Sequence, residues 1–108
     1  MSSNAIAATG ELVNADGYGN RVAALIFGPK NVIVIAGINK VEPSLDAAIL
    51  RTKNYTASMI MLKFKQDYSS FDELSEAAEM AGSHLVITSK SAVKGRIKVI
   101  LVGESLGF

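Results

Sequence analysis

A short polar loop at residues 16–21 contains two glycines, and its chemistry suits the binding of an anion. Gly17 and Gly19 allow close approach of the backbone, and Asn20 stands at the expected start of a helix, where backbone N–H groups point outward. The guanidinium of Arg21 grips a carboxylate or phosphate with two donors. An ordinary turn with a helix cap is the alternative. The pattern predicts a candidate anion site at these four residues.

A second set of polar residues follows two predicted strands. Asn39 and Lys40 come after a strand rich in β-branched residues, and Glu104 comes after the last strand. Ligands of open α/β sheets bind at the carboxyl ends of the strands, where a lysine adds a point charge and an asparagine orients the ligand. The alternative for Asn39 and Lys40 is a solvated turn, and for Glu104 a solvated or ion-paired carboxylate. We include all three residues in the candidate ligand-binding set.

Metal, thiol and nucleotide chemistry have little support in the sequence. The chain has no cysteine and one histidine, which excludes disulfides and iron–sulfur ligation and leaves no zinc ligand set. His84 has no partner in a catalytic motif, so we expect a structural role for it. The glycines match neither the dinucleotide-binding spacing nor the phosphate-binding loop. We therefore expect no metal and no cofactor, and the catalytic residues, if there are any, stay unknown.

Composition limits the range of partners. The net charge is +1, from 11 basic and 10 acidic residues, and no basic block stands out, so we expect neither nucleic-acid nor membrane binding. No apolar run has the length of a membrane span and the first residues do not resemble a signal peptide, which favours a cytoplasmic protein. Hydrophobic residues make up 49% of this short chain. Such a surplus favours a homo-oligomer, with a dimer as the first expectation.

The stretch at residues 28–40 organises the predicted fold. Residues 32–35 are four β-branched residues in a row, which predicts a strand buried on both faces and central to a sheet. Gly28 and Pro29 end a preceding helix, and Gly37 frees the backbone where the strand gives way to a loop.

The remaining elements follow from local patterns. Residues 4–14 predict a hairpin that turns at Gly10, and residues 20–27 a helix with Val22, Leu25 and Ile26 on one face. A helix follows the N-cap residue Ser44, while residues 59–64 suit either its extension or a separate strand. A capping box at 70–73 predicts a helix up to residue 82, and residues 84–88 and 97–102 predict two strands. The order predicts an α/β fold, a sheet flanked by helices, in a single domain over residues 1–108.

Five segments of the chain form a recognisable ordered set, at residues 3–6, 14–24, 27–30, 34–40 and 99–108. Together they resemble the LUD (lactate utilization) domain family. The resemblance covers about the first 50 residues and the last 15, and it implies a fold similar to part of the ribose-5-phosphate isomerase, glucosamine-6-phosphate deaminase and CoA-transferase group. It also implies a role in the use of lactate or related organic acids.

Two departures from the family pattern limit what the resemblance implies. Short LUD domains carry roughly a hundred more residues ahead of the segment at 3–6, so we expect a truncated domain that corresponds to the C-terminal half. Many relatives also carry a cysteine-rich segment before the last two strands, where this chain has none. Redox or metal roles that depend on those cysteines therefore do not transfer.

The sequence thus indicates a LUD-type protein that binds a small carboxylate or phosphate, with the reaction unknown and enzyme activity left open. Other lactate-utilization subunits are possible partners. The alternative is a non-catalytic remnant that binds a ligand or a partner and acts as an interaction or regulatory module. The residues expected near a dimer interface are 32–35 or 59–64.

Overall fold

A computed structural model describes residues 1–64 and 82–107 of the chain, with side chains of residues 56–64 left undescribed. The strands are β1 (Ala5–Ala7), β2 (Leu12–Asp16), β3 (Val32–Gly37), β4 (Val41–Glu42), β5 (His84–Thr88) and β6 (Ile97–Val102). The helices are α1 (Asn20–Ile26) and α2 (Leu45–Phe64), and a 3-10 turn occupies Ile38–Lys40. The mixed α/β class predicted from the sequence is confirmed.

Within the described residues the strands form two sheets, where the sequence predicted one. The first has the order β4-β1-β2-β5, with β1 antiparallel to β2, β2 antiparallel to β5, and β1 parallel to β4. The second contains β3 and β6, which run parallel with Val34 opposite Val99. The predicted final two strands therefore exist with the expected bounds, but they belong to different sheets.

Two apolar clusters hold these layers together. Alternate residues of β1 and β2 face opposite sides, because successive side chains of a strand point to opposite faces. On one side Ile6 and Leu12 pack with Leu25 of α1 and with Val32, Val34 and Ala36 of β3. On the other side Ala5, Ala7 and Val13 pack against Ala48 of α2. The β1–β2 hairpin is thus covered by a helix on one face and by α1 and β3 on the other.

The prediction that residues 32–35 are buried on both faces is wrong. Val32 and Val34 are buried in the core, whereas Ile33 and Ile35 are 50% and 48% exposed. Strand β3 pairs with β6 within the described residues, so it is not the centre of a larger sheet there. A run of β-branched residues specifies a strand, but alternation of the backbone decides which side chains reach the core.

Local sequence signals predicted the positions of α1 and α2 closely. Helix α1 ends at Ile26, with extended Phe27 and then Gly28 at φ 147°. The start of α1 differs in one detail, because Gly19 in the left-handed conformation is its N-cap and the Asn20 side chain caps nothing. Ile26 is exposed and does not share the buried face of Val22 and Leu25, which corrects the predicted stripe.

Helix α2 begins where the sequence predicted, because the backbone N–H of Ala47 donates to the Ser44 hydroxyl (3.1 Å). It continues through Phe64, so residues 59–64 extend the helix and do not form a strand. The predicted helix after the capping box at 70–73 lies outside the described residues.

Candidate functional site

The carboxyl ends of β3 and β6 form one polar edge. Because the two strands are parallel, the 3-10 turn after β3 meets the loop at 103–107 after β6. Asn39 joins them: its Oδ1 accepts from the backbone N–H of Leu106 (3.0 Å), and its Nδ2 donates to the Leu106 carbonyl (3.4 Å). The N–H of Ile38 donates to the Glu104 carbonyl (3.1 Å). Asn39 therefore fixes the loop, and one amide hydrogen and one lone pair of Oδ1 are left for other partners.

Gly37 allows this close approach. A Cβ added to it would lie 2.5 Å from Asn39 Oδ1, from the Glu104 carbonyl oxygen and from the Leu106 nitrogen. Its φ of −74° suits any residue, so space and not backbone freedom requires glycine here. This refines the sequence-based argument, which assigned Gly37 a conformational role.

Lys40 is buried at the same edge, with 8% of its surface exposed. Its ammonium donates to the Ser2 hydroxyl (2.9 Å). A Cβ added to Gly107 would lie 3.8 Å from the ammonium nitrogen. Burial lowers the pKa of Lys40, and the positive charges of Arg51 and Arg21 lower that pKa further. Among the residues that the structure describes, no carboxylate lies within ion-pair distance of Lys40. A buried ammonium with only a neutral acceptor is poorly compensated.

Glu104 reaches this edge through its backbone. Its carbonyl accepts from Ile38, while the residue is exposed. The structure thus brings the backbone of Glu104 to the edge where Asn39 and Lys40 lie, because β3 and β6 are parallel neighbours, a pairing that the sequence did not predict. Their ligand-binding role stays a prediction.

The glycine loop at 16–21 is organised around an internal anion. Asp16 Oδ1 accepts from Arg21 Nε (3.1 Å), and its Oδ2 accepts from the backbone N–H of Val22 (2.9 Å). Arg21 Nη2 also donates to Asn4 Oδ1 (2.6 Å) and to the Ala15 carbonyl (2.9 Å). The Asp16 carboxylate therefore occupies the place at the start of α1 that we expected an external anion to take. This geometry does not favour Gly17, Gly19, Asn20 and Arg21 as an anion site, and their binding role stays untested.

His84 supports the same loop. Its Nδ1 lies 3.2 Å from the carbonyl oxygen of Gly17 and 3.3 Å from that of Asp16. Because carbonyl oxygens only accept, Nδ1 carries the hydrogen in this arrangement. Its ring also lies 3.7 Å from the position of a Cβ on Gly19. These contacts agree with the structural role expected from the sequence.

Sequence reasoning missed the contribution of the segment at residues 2–4. The Ser2 hydroxyl accepts a hydrogen bond from Lys40, and Asn4 Oδ1 accepts one from Arg21. This segment therefore links the polar edge at Lys40 to the glycine loop at 16–21. Ser3 and Asn4 are buried although both are polar. The available signal was the position of polar residues directly before β1, since a buried strand start requires side-chain hydrogen bonds.

Comparison with protein-family models gives a match to the LUD domain over residues 1–102. The chain belongs to the LUD domain family. The resemblance noted from separate segments is confirmed, and the family is associated with lactate utilization. Comparisons with curated proteins and with solved structures gave no match.

Two further features bear on this LUD domain. Within residues 1–64 and 82–107, no three histidine, cysteine or acidic side chains come together as a metal site would require. No helix in the same ranges is long and apolar enough to cross a membrane.

Proposed function

We propose that this LUD domain binds a small organic carboxylate or phosphate in the use of lactate or related acids, and that Lys40 receives the anion. The supporting observation is the buried Lys40 ammonium, which has Ser2 as its hydrogen-bond partner and no carboxylate beside it in the described part of the chain. A buried charge is costly unless it is paired. A bound anion supplies the missing charge.

The ammonium has the capacity for this role. Lysine carries three donors, and one of them is used by Ser2, which leaves two for ligand oxygens. The nearby charges of Arg51 and Arg21, which disfavour a second cation, favour an anion at the same place. Gly107 lies beside the ammonium, and a glycine there leaves space that a larger side chain would fill.

Anion titration of wild type and of Lys40→Met tests this function. Methionine keeps a long unbranched stem but removes the charge. Charge-assisted hydrogen bonds contribute roughly 1.5–3 kcal/mol, so we expect Lys40→Met to weaken binding of lactate, pyruvate or phosphate by about tenfold or more. Lys53→Met, which removes an exposed lysine of α2, is the matched control and should bind as wild type does. Equal binding by wild type and Lys40→Met in calorimetry would reject Lys40 as the anion site.

A non-catalytic interaction module is the second candidate. The outer face of the β3–β6 sheet supports it, because Ile33, Ile35 and Ile100 are all exposed there. Such a face suits a second copy of the chain or another subunit of an organic-acid pathway. We propose that this LUD domain functions in the cytoplasm, as expected from the sequence.

A further inference from the structure

A groove lies between the α1–β3 turn and the β5–β6 loop, at the amino ends of β3 and β6 and so at the end opposite Lys40. Two adjoining cavities of about 500 and 560 Å³ make up this groove. Both cavities are lined by Ile26, Ser91, Ala92 and Arg96. Each cavity has the volume of a small-molecule pocket, about 300–1,000 Å³, but the two share lining residues and are open to solvent, whereas such pockets enclose their ligand.

Arg96 fixes the two walls of the groove. Its Nε donates to the Pro29 carbonyl (2.8 Å), its Nη1 to that of Leu25 (2.6 Å) and its Nη2 to that of Ala24 (2.9 Å). These carbonyls lie at and just beyond the carboxyl end of α1, where a cation is favourable. The groove is thus formed before any ligand arrives.

Large apolar side chains are exposed along one end of the groove. Ile26, Phe27 and Val93 are 60%, 87% and 61% exposed, and all three line the first cavity. Exposed apolar side chains gathered at one concave place mark interaction sites more often than scattered ones do. Phenylalanine and branched aliphatic residues at such a place serve as contacts for a partner's apolar side chains.

The charge that the described residues place along the groove has one sign. Lys30 lines the first cavity, Lys90 lines the second and Arg96 lines both, and no acidic residue of ranges 1–64 and 82–107 lines either cavity. The sequence has no aspartate or glutamate at 17–41 or at 82–103. A cationic rim around apolar side chains complements a partner that is both acidic and apolar.

The edge strand of the four-stranded sheet, β5, borders the same groove. In the described residues β5 is the last strand of its sheet and pairs with β2 alone, and Val86, Ile87 and Thr88 line the second cavity. The free backbone groups of an edge strand accept an extended peptide as an added strand. This feature favours a peptide over a compact organic anion.

From the exposed apolar side chains, the cationic rim and the β5 edge, we infer that the groove binds an extended acidic segment of a partner protein. The segment pairs with the β5 edge, places apolar side chains on Ile26, Phe27 and Val93, and directs its carboxylates to Lys30 and Lys90. This inference is independent of anion binding at Lys40.

A synthetic peptide of alternating glutamate and valine or phenylalanine, with blocked ends, is the probe. Amide NMR of the full chain should show shifts at 86–93 on addition of this peptide. Replacement of every glutamate by lysine should abolish the shifts, and replacement of the apolar residues by glycine should weaken binding. No shift at millimolar acidic peptide, or equal binding of the lysine peptide, would overturn the inference. So would decanoate binding at these residues as tightly as the acidic peptide, because the site would then be one for small amphipathic anions.

Charge-reversal variants locate the contact. Because the reversal replaces an attraction with a repulsion, Lys90→Glu should weaken the acidic peptide by about five- to tenfold. Lys53→Glu changes the net charge equally on an exposed position of α2 and should leave the affinity as in wild type. Phe27→Ser provides an uncharged second variant, and circular dichroism checks that each protein folds. Equal losses in Lys90→Glu and Lys53→Glu, with none in Phe27→Ser, would contradict the assignment.

Discussion

The ammonium of Lys40 donates to the hydroxyl of Ser2 over 2.9 Å, across a separation of 38 positions in the sequence. This contact brings the segment before β1 to the carboxyl end of β3, so that Lys40 is buried and the alternative of a solvated turn does not hold for it. The chemistry of the candidate site depends on that burial, because an exposed lysine would neither have a lowered pKa nor need a counterion.

The pH dependence of stability should carry a signature of Lys40. Its pKa is lowered in the folded protein from the ordinary value of 10.5, so between the two pKa values the unfolded chain holds more protons. Stability therefore gains a contribution as pH rises through this window, and below it the buried charge is a cost. The free energy of unfolding of wild type minus that of Lys40→Met should increase from neutral pH toward 10.5. A difference that is flat or falls over this range in urea denaturation would contradict the burial of a charged lysine.

Gly37→Ala should destabilise the polar edge. The new Cβ would lie 2.5 Å from two backbone atoms of the loop at 103–107, which cannot move as freely as a side-chain end. Overpacking of this type costs about 1–3 kcal/mol, measurable by urea denaturation. Gly103→Ala is the control, because a Cβ there meets nothing within 4 Å. Similar losses in both variants would show that the close approach at Gly37 is absent.

Arg21→Ala should act on stability more than on anion binding. The variant removes the donors to Asp16, Asn4 and Ala15, and it leaves the partly buried Asp16 without its ion pair. We expect the free energy of unfolding to fall by roughly 1–3 kcal/mol, while phosphate affinity changes far less than in Lys40→Met. A tenfold loss of phosphate affinity with unchanged unfolding would instead support the anion site first predicted at the glycine loop.

Self-association should involve the exposed β3–β6 face. Ile35 and Ile100 are opposite each other across the two strands and both are exposed, so a second copy can bury them together. Sedimentation at micromolar concentration should give twice the 11.4 kDa chain mass or a multiple of it. Ile35→Lys should shift the protein toward monomer, whereas Leu50→Lys, at an exposed position of α2, should not. A wild-type monomer with a melting temperature independent of concentration would reject the dimer.

Short-range features could be predicted from the sequence, and long-range pairing could not. The strands at 84–88 and 97–102, the hairpin at Gly10 and the cap at Ser44 were all predicted, because turn residues and β-branched runs act locally. The separation of β5 and β6 into two sheets depends on tertiary contacts that no local pattern contains.

The same distinction between local and long-range features applies to the candidate site. The positions of Asn39 and Glu104 directly after strands were predicted, whereas their meeting at one edge depends on the parallel pairing of β3 with β6, which was not. The burial of Lys40 depends on Ser2 and the segment before β1, and side chains from such separate segments meet only after the chain folds. The contact of Asp16 with the start of α1 spans six positions, so an acidic residue shortly before a helix was a local signal that the sequence offered.

The most direct test is the pKa of Lys40 itself, measured by NMR of its ε-methylene and ammonium groups with and without lactate or phosphate. We expect a pKa below 10.5 in the free protein and a rise of that pKa on addition of the anion, because an anion favours the charged form. A Lys40 pKa at or above 10.5, or one that neither anion changes, would contradict the proposal that this buried lysine receives the ligand.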